Sequence, residues 1–528
     1  MKAPPRPRRL RSARLAAAGA GLVSLAAANP VLATTGLESP DNGVVQVGRG
    51  SAWLARADDP LAAFFNPAGL ATQATGVHVG AHLLFLDRCF TRLGENGLPV
   101  SPGNAIPGPG AEGGPAAAIC AESSPFLNPQ IAVNVRVNDE LAIGLAVLGP
   151  HASNLTWPET LQYQVGAGTF LQPSGQRHLL VESDALLLFP TLSVSYAITD
   201  TISVGAGFIW GVSDVQFVTF TEAISTAAQD EFDANQELKV QLNARDFFIP
   251  GFVLGGMWSA TKNFDVAGWY KWQDSVDASA DLLIRSKYWK SSGAVNDSAD
   301  GPENPANITD REKIGSLKLS IPMEAKLAVR YHHPRAAAVA ERPSWAGASG
   351  APRRVRDMLS EDVFDIELDI TWANNSAVDI VELRFEPNVP VAGTSNGLVP
   401  TNGDIPHEWK DVLGVRLGGD VVVLPGRLAL RAGGFFETKG QDDEYLNLDF
   451  HMGTKAGVSG GATVRVGPVD VSAAYQHTFF GALDNGGKGA VRALSGDAST
   501  GFRSRQFVNG GRLESSLNEV ALGGSVRF

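Results

Sequence analysis

Leu317-Lys318-Leu319-Ser320-Ile321-Pro322-Met323-Glu324-Ala325-Lys326-Leu327-Ala328-Val329-Arg330-Tyr331 is the stretch that decides the fold. Leu317, Leu319, Ile321, Met323, Ala325, Leu327, Val329 and Tyr331 form one apolar series, and Lys318, Ser320, Glu324, Lys326 and Arg330 fall between them. A period of two belongs to a β-strand, whose successive side chains point to opposite faces. Phe364, Ile366, Leu368, Ile370 and Trp372 alternate in the same way with Asp365, Glu367, Asp369 and Thr371, as do Ile131, Val133, Val135 and Val137 with Asn134, Arg136 and Asn138. A soluble sandwich alternates too, but its strands usually run about five or six residues. Runs of about twice that length suit strands that cross a bilayer at a tilt. The chain therefore reads as all-β, a transmembrane antiparallel barrel.

Working outward gives fourteen strands, near 77–90, 129–137, 140–149, 186–197, 201–217, 248–260, 263–284, 317–332, 362–375, 409–424, 427–438, 452–466, 468–480 and 514–528. Short turns at Asn138-Asp139, Thr199-Asp200, Thr261-Lys262-Asn263, Pro425-Gly426 and Gly467-Pro468 alternate with long loops rich in Gly, Pro, Asn and Ser. Short periplasmic turns, long outer loops and an even strand number are the habit of outer-membrane barrels. Residues 334–357 break the rule, being long, basic and Ala/Pro-rich where a short turn belongs, and read as a periplasmic insertion. The last strand ends on Phe528, an aromatic terminus of the kind the barrel assembly machinery receives.

Residues 1–33 read as a secretory signal peptide: a basic start from Lys2 to Arg14, an apolar run from Leu15 to Ala28, and Val31-Leu32-Ala33 at the cleavage position. The apolar run is too short to span a membrane as a helix. Losing the segment takes the net charge from −12 to −18, because six basic residues leave with it. So acidic a chain has no electrostatic footprint for nucleic acid. No other run reaches the length of a membrane helix, and only helices and closed barrels satisfy their backbone hydrogen bonds in lipid. Cys89 and Cys120 are the only cysteines. In an exported chain such a pair reads as a disulfide, with two free thiols as the alternative. No residue is spaced to complete a metal site, and no cofactor motif stands in a fitting context.

Between the cleavage site and the first strand lies a stretch without alternation: Gly48-Arg49-Gly50-Ser51-Ala52-Trp53, Ala57-Asp58-Asp59-Pro60 and Phe64-Phe65-Asn66-Pro67-Ala68-Gly69-Leu70. Here the chain resembles the FadL family (OmpP1/FadL/TodX) of outer-membrane transporters for long-chain fatty acids and other hydrophobic compounds. Asn66-Pro67-Ala68 matches the family's hatch motif in type and position. Pro322 with Ala325 to Tyr331, Asp369-Ile370-Thr371-Trp372, Trp409-Lys410-Asp411 and Arg416-Leu417-Gly418 also look like family features. The resemblance implies a hatch over residues 34–76 inside a barrel of residues 77–528. It also implies capture of a hydrophobic ligand on the outer loops, binding in the plugged lumen and lateral exit through the wall at a kinked third strand. Gly144 and Gly149-Pro150 suit such a kink, or simply end an ordinary strand. The 334–357 insertion and the cysteine pair depart from the family pattern.

The candidate ligand contacts are Phe64, Phe65, Asn66, Pro67 and Ala68 in the hatch, with Phe217, Phe220, Tyr288, Trp289, Arg285 and Lys290 near two outer loops. Apolar side chains hold an alkyl chain and a cation pairs with a carboxylate. The alternative is an aromatic girdle with the cations on lipopolysaccharide phosphates. Trp258, Trp269 and Trp272 read as wall or girdle. Arg136, Lys326, Arg330, Arg416 and Arg431, opposite Asp365, Glu367, Asp369 and Asp420, read mostly as lumen ion pairs.

Two patterns are set aside for want of context: a nucleophile-elbow match at Gly457-Val458-Ser459-Gly460-Gly461 and a dinucleotide match at 108–113. No Ser–His–acid constellation assembles, so the chain reads as no enzyme. A monomer in contact with membrane lipid and lipopolysaccharide is expected. The competing readings are a general diffusion porin and an outer-membrane structural protein.

Overall fold

The computed structural model describes residues 42–528 apart from 95–96, 98–102, 105–117, 123–124, 150, 166–167, 224–230, 233–235, 291–292, 337 and 339–354. The signal peptide, the start of the proposed hatch, Pro150 and most of the 334–357 insertion lie outside these residues.

Fourteen antiparallel strands close into a barrel. They are β1 (Gly76–Arg92), β2 (Phe126–Arg136), β3 (Leu141–Val147 and His151–Thr156), β4 (Glu182–Leu188 and Thr191–Ala197), β5 (Ile202–Glu222), β6 (Glu237–Ser259) and β7 (Phe264–Gln273 and Val276–Arg285). The second half comprises β8 (Ile308–Leu319 and Glu324–Pro334), β9 (Asp362–Ala373 and Ile380–Phe385), β10 (Ile405–Pro406 and Val412–Leu424), β11 (Leu428–Glu437), β12 (Lys455–Val466), β13 (Val469–Phe480) and β14 (Gly511–Arg527). Each pairs with its chain neighbours, and β1 meets β14 from Gly76↔Arg527 to Arg92↔Gly511. Closure removes the free edges, so neighbouring strands satisfy one another's backbone groups along the paired wall.

Outside the wall, Ile202, Val204, Phe208 and Trp210 of β5 and Phe364, Ile366, Leu368 and Ile370 of β9 are exposed apolar side chains. Exposed aromatics mark both ends of this band: Tyr196, Trp258, Phe264 and Phe364 near the short turns, and Trp210, Phe248, Phe436 and Phe479 toward the long loops. These are the two girdles of a lipid-facing wall.

The deciding stretch corrects its own reading. Leu327 and Val329 are 66% and 48% exposed, as lipid-facing residues are, whereas Leu317 and Leu319 are 1% and 7% exposed and point inward. The series changes face where pairing breaks, between Leu319 and Glu324. β7 does the same between Gln273 and Val276: Phe264 and Trp272 face out, while Val276, Ala278, Ala280, Leu282 and Ile284 face in. In β6 the change comes at a bulge, where Phe247 and Phe248 are both exposed opposite Gly211–Ser213 of β5. Below these breaks apolar side chains meet lipid; above them the wall stands in water, so apolar side chains turn inward and Asp214, Arg245 and Asp277 face out. The solvent changes along the strand and the polarity of each face changes with it.

Cys89 and Cys120 form a disulfide that ties an outer loop to β1. At the short-turn end, residues 355–361 lie across the barrel's base. Arg356 N–H donates to Thr72 O (2.9 Å) and its guanidinium reaches Asp265 of β7 and Ser259 of β6. Asp357 accepts from Arg465 of β12 (2.6 Å) and Arg527 of β14 (3.1 Å).

Candidate functional site

The N-terminal segment from Asn42 to Gln73 packs against the inner wall and is held by buried charge. Arg49 is fully buried and donates to Asp365 (2.8 Å), Asp420 (2.7 Å) and Glu367 (3.2 Å), and through Nε to Ala52 O (2.8 Å). Ala55 N–H donates to Glu367 at 2.5 Å, and Trp53 and Leu54 N–H both donate to Asp369 at 3.2 Å. Arg56 reaches Asp365 and Asp420, each at 3.2 Å. The acidic face of β9 and β10 is thus neutralised partly from the wall, by Arg330 and Arg431, and partly from this segment. Sequence reasoning matched the carboxylates with wall cations alone and passed over Arg49, although a lone Arg between two glycines in an apolar stretch has to find buried acid.

Asn66-Pro67-Ala68 is buried against glycines. A Cβ on Gly205 would lie 2.4 Å from the Pro67 carbonyl carbon, and one on Gly255 would lie 2.2 Å from Asn66 Oδ1. Asn66 Nδ2 donates to Leu54 O at 2.8 Å. Phe64 is buried beside Phe189 and Trp269, and Trp269 Nε1 donates to the Phe64 carbonyl at 2.9 Å. Trp269 therefore faces the lumen and grips the segment, whereas Trp258 stands exposed on the outer wall. Phe65 is half-buried, with the Lys326 ammonium 5.8 Å from its ring centroid.

Above the breaks, the inward-turned apolar side chains enclose a cavity with an empty volume of about 670 Å³, the open mouth included. Phe217 of β5, Leu238, Val240 and Leu242 of β6, Leu282 and Ile284 of β7, and Leu383 and Phe385 of β9 form its wall. Val391, Leu398, Pro400, Leu494 and Gly496 from two outer loops complete it. Those loops are joined by Leu398 N–H donating to Gly496 O at 3.0 Å. Of the sequence candidates only Phe217 lines this space. The signal for the rest was the inversion of alternation in 237–244, 276–284 and 381–385.

The remaining loop candidates gather elsewhere. Phe220 stacks on Trp289 with centroids 5.1 Å apart, and Tyr288 packs edge-on to both. All three are buried, so none belongs to an exposed girdle. Trp289 Nε1 donates to Glu237 at 2.9 Å, which Arg177 also contacts, and Tyr288 donates to Glu159 at 2.5 Å. Arg285 lies 3.4 Å from Glu303 and Lys290 pairs with Asp297.

At the third strand, Gly144 faces the segment: a Cβ there would lie 2.7 Å from Leu70 Cδ1. Pairing of β2 with β3 runs from Arg136↔Ala142 to Ile131↔Val147. Beyond that, among the described residues, 126–130 pair with β1 and 151–156 with β4. Pro129 has no N–H to offer a partner there. Side chains span the interval: Asn128 Nδ2 donates to Gly149 O (2.9 Å) and Asn42 Oδ1 (3.1 Å), and Gln130 Nε2 donates to Asn42 Oδ1 (3.2 Å).

Fold and site define a class first: a β-barrel of the outer membrane whose inner face carries a packed N-terminal segment. The chain matches the outer membrane protein transport protein family (OMPP1/FadL/TodX) over residues 36–349 and belongs to it. It is similar to a solved FadL homologue of Pseudomonas aeruginosa at 18% identity, covering 94% of this chain and 100% of that one, with a TM-score of 0.65. The Pseudomonas putida toluene transporter TodX is similar at 13% identity over 94% and 100% of the two chains, with a TM-score of 0.57. The Ralstonia pickettii toluene transporter TbuX is similar at 14% identity over 93% and 99%, with a TM-score of 0.53. At these identities the likeness is one of fold. No curated protein matches the chain. The family is one of transporters of hydrophobic compounds.

Proposed function

We propose that this protein takes up hydrophobic small molecules, a class that spans long-chain fatty acids and aromatic hydrocarbons, by loop capture, binding within the barrel and lateral exit through its wall. The observation that carries the reading is the apolar cavity in the outer mouth, above a lumen packed by the N-terminal segment. Burying apolar surface gains roughly 25 cal/mol per Å², so a ligand hiding about 200 Å² there gains about 5 kcal/mol. In this reading residues 34–76 act as the hatch that stops leakage. In the same reading the interval between β2 and β3, crossed among the described residues by Asn128 Nδ2 donating to Gly149 O, is the lateral gate at which Gly149 lies.

Planar-bilayer recording of the refolded barrel tests the hatch, with little steady current expected. Large stable currents from intact protein would favour the porin reading. The exit is tested by an Asn128→Cys/Gly149→Cys pair, since a Cβ on Gly149 lies 3.5 Å from Asn128 Oδ1. Whole-cell uptake should fall on oxidation and return on reduction. Uptake indifferent to the crosslink removes the lateral route.

A further inference from the structure

Which molecules the cavity admits follows from what its walls lack, and this inference rests on the uptake reading above. Among the described residues, no Asp, Glu, Lys, Arg or His lines it. The side-chain hydroxyls lining it among the described residues are those of Thr219 and Thr221, and Thr219 Oγ1 already donates to Arg177 O at 3.1 Å. The cations nearest in sequence to the lining residues are engaged elsewhere. Lys239, between Leu238 and Val240, sits 2.6 Å from Glu159. Arg285, next to Ile284, lies 3.4 Å from Glu303, and Arg384, between Leu383 and Phe385, pairs with Asp404.

A carboxylate carried into such a space leaves its water behind and meets no positive charge. Burying an unpaired ion is costly enough that the neutral form, or no binding, wins. An uncharged apolar body loses nothing polar and gains contacts on every side. We propose that this cavity selects uncharged apolar molecules, hydrocarbons in chemical class, and discriminates against ionised fatty acids of similar apolar size.

The test uses two probes that differ in one carboxylate, naphthalene and 2-naphthoate at pH 8. Each is titrated into the full-length barrel in micelles, with protein-free micelles as reference. Wild-type protein should bind naphthalene at least a hundredfold more tightly. Leu242→Lys, which places a cation in the wall, should shift the ratio toward 2-naphthoate by tenfold or more. Leu398→Lys, on a loop, serves the same purpose if the wall variant fails to assemble. Equal binding of both probes by wild type overturns the selectivity and leaves the uptake reading standing. A ratio unmoved by a lysine variant that folds places binding outside this cavity and overturns the proposal. If neither probe binds, the uptake reading falls with it.

Discussion

Replacing Arg49 by Met keeps much of the apolar stem and removes the guanidinium from between Asp365, Asp420 and Glu367. Four hydrogen bonds disappear, and three buried carboxylates lose a shared counter-charge. Removing one partner of a buried ion pair typically costs about 3–5 kcal/mol. Arg56, Arg330 and Arg431 still face the same acids, which puts the expected loss toward the low end, roughly 3 kcal/mol. That is a little over two orders of magnitude in the equilibrium for releasing the segment from the wall. Amide hydrogen exchange across 44–73 should accelerate by about a hundredfold, while peptides of β11–β13 keep their rates. Adding Asp420→Asn removes one stranded charge, so the double variant should recover part of the loss. Exchange within threefold of wild type throughout 44–73 would refute the idea that Arg49 anchors the segment.

Three further outcomes follow from other contacts. Gly205→Leu drives a side chain into Pro67, whose carbonyl carbon already lies 2.4 Å from a Cβ there; the segment should lose protection, and bilayer current should rise. Cys89→Ser with Cys120→Ser removes a crosslink worth about 3–4 kcal/mol in the chain-entropy account. It should expose the outer loop after β1 to protease without changing strand content by circular dichroism. Burial opposes charge on His407, but the Asp449 carboxylate 2.9 Å away lifts it above the ordinary histidine value. Its contribution is therefore complete below the usual histidine pKa and lost as pH rises through the raised one. Exchange in 405–410 and 446–451, corrected for intrinsic rate, should quicken across that upper range, and His407→Gln should abolish the pH dependence.

Strand number, turn positions and the exported all-β class were legible because period two and turn chemistry are local. What escaped was the point at which a strand leaves the membrane. Leu317 and Leu327 share one numerical series, and only the break at Ser320–Met323, with Pro322 unable to donate, sends them to opposite faces. Much of the cavity comes from residues outside the strands read from sequence: Leu238, Val240 and Leu242 precede 248–260, and Leu383 and Phe385 follow 362–375, so they counted as loop and the site stayed hidden. Phe217 was found because it is an aromatic at the start of an outer loop, a signal that does not depend on which face it takes. Arg49 was missed because its partners lie more than three hundred residues away, a distance no window along the chain spans.

The clasp at the base couples distant parts of the wall. Arg356 and Asp357 sit side by side in the chain, yet their partners belong to β6 and β7 on one hand and β12 and β14 on the other. Arg527 belongs to β14, the strand that seals the barrel against β1. The complete clasp thus requires both distant parts of the wall to be in place. A chain stalled one strand short would carry residues 355–361 with part of their ionic partners missing, which makes this short stretch a reporter that separates finished barrels from nearly finished ones.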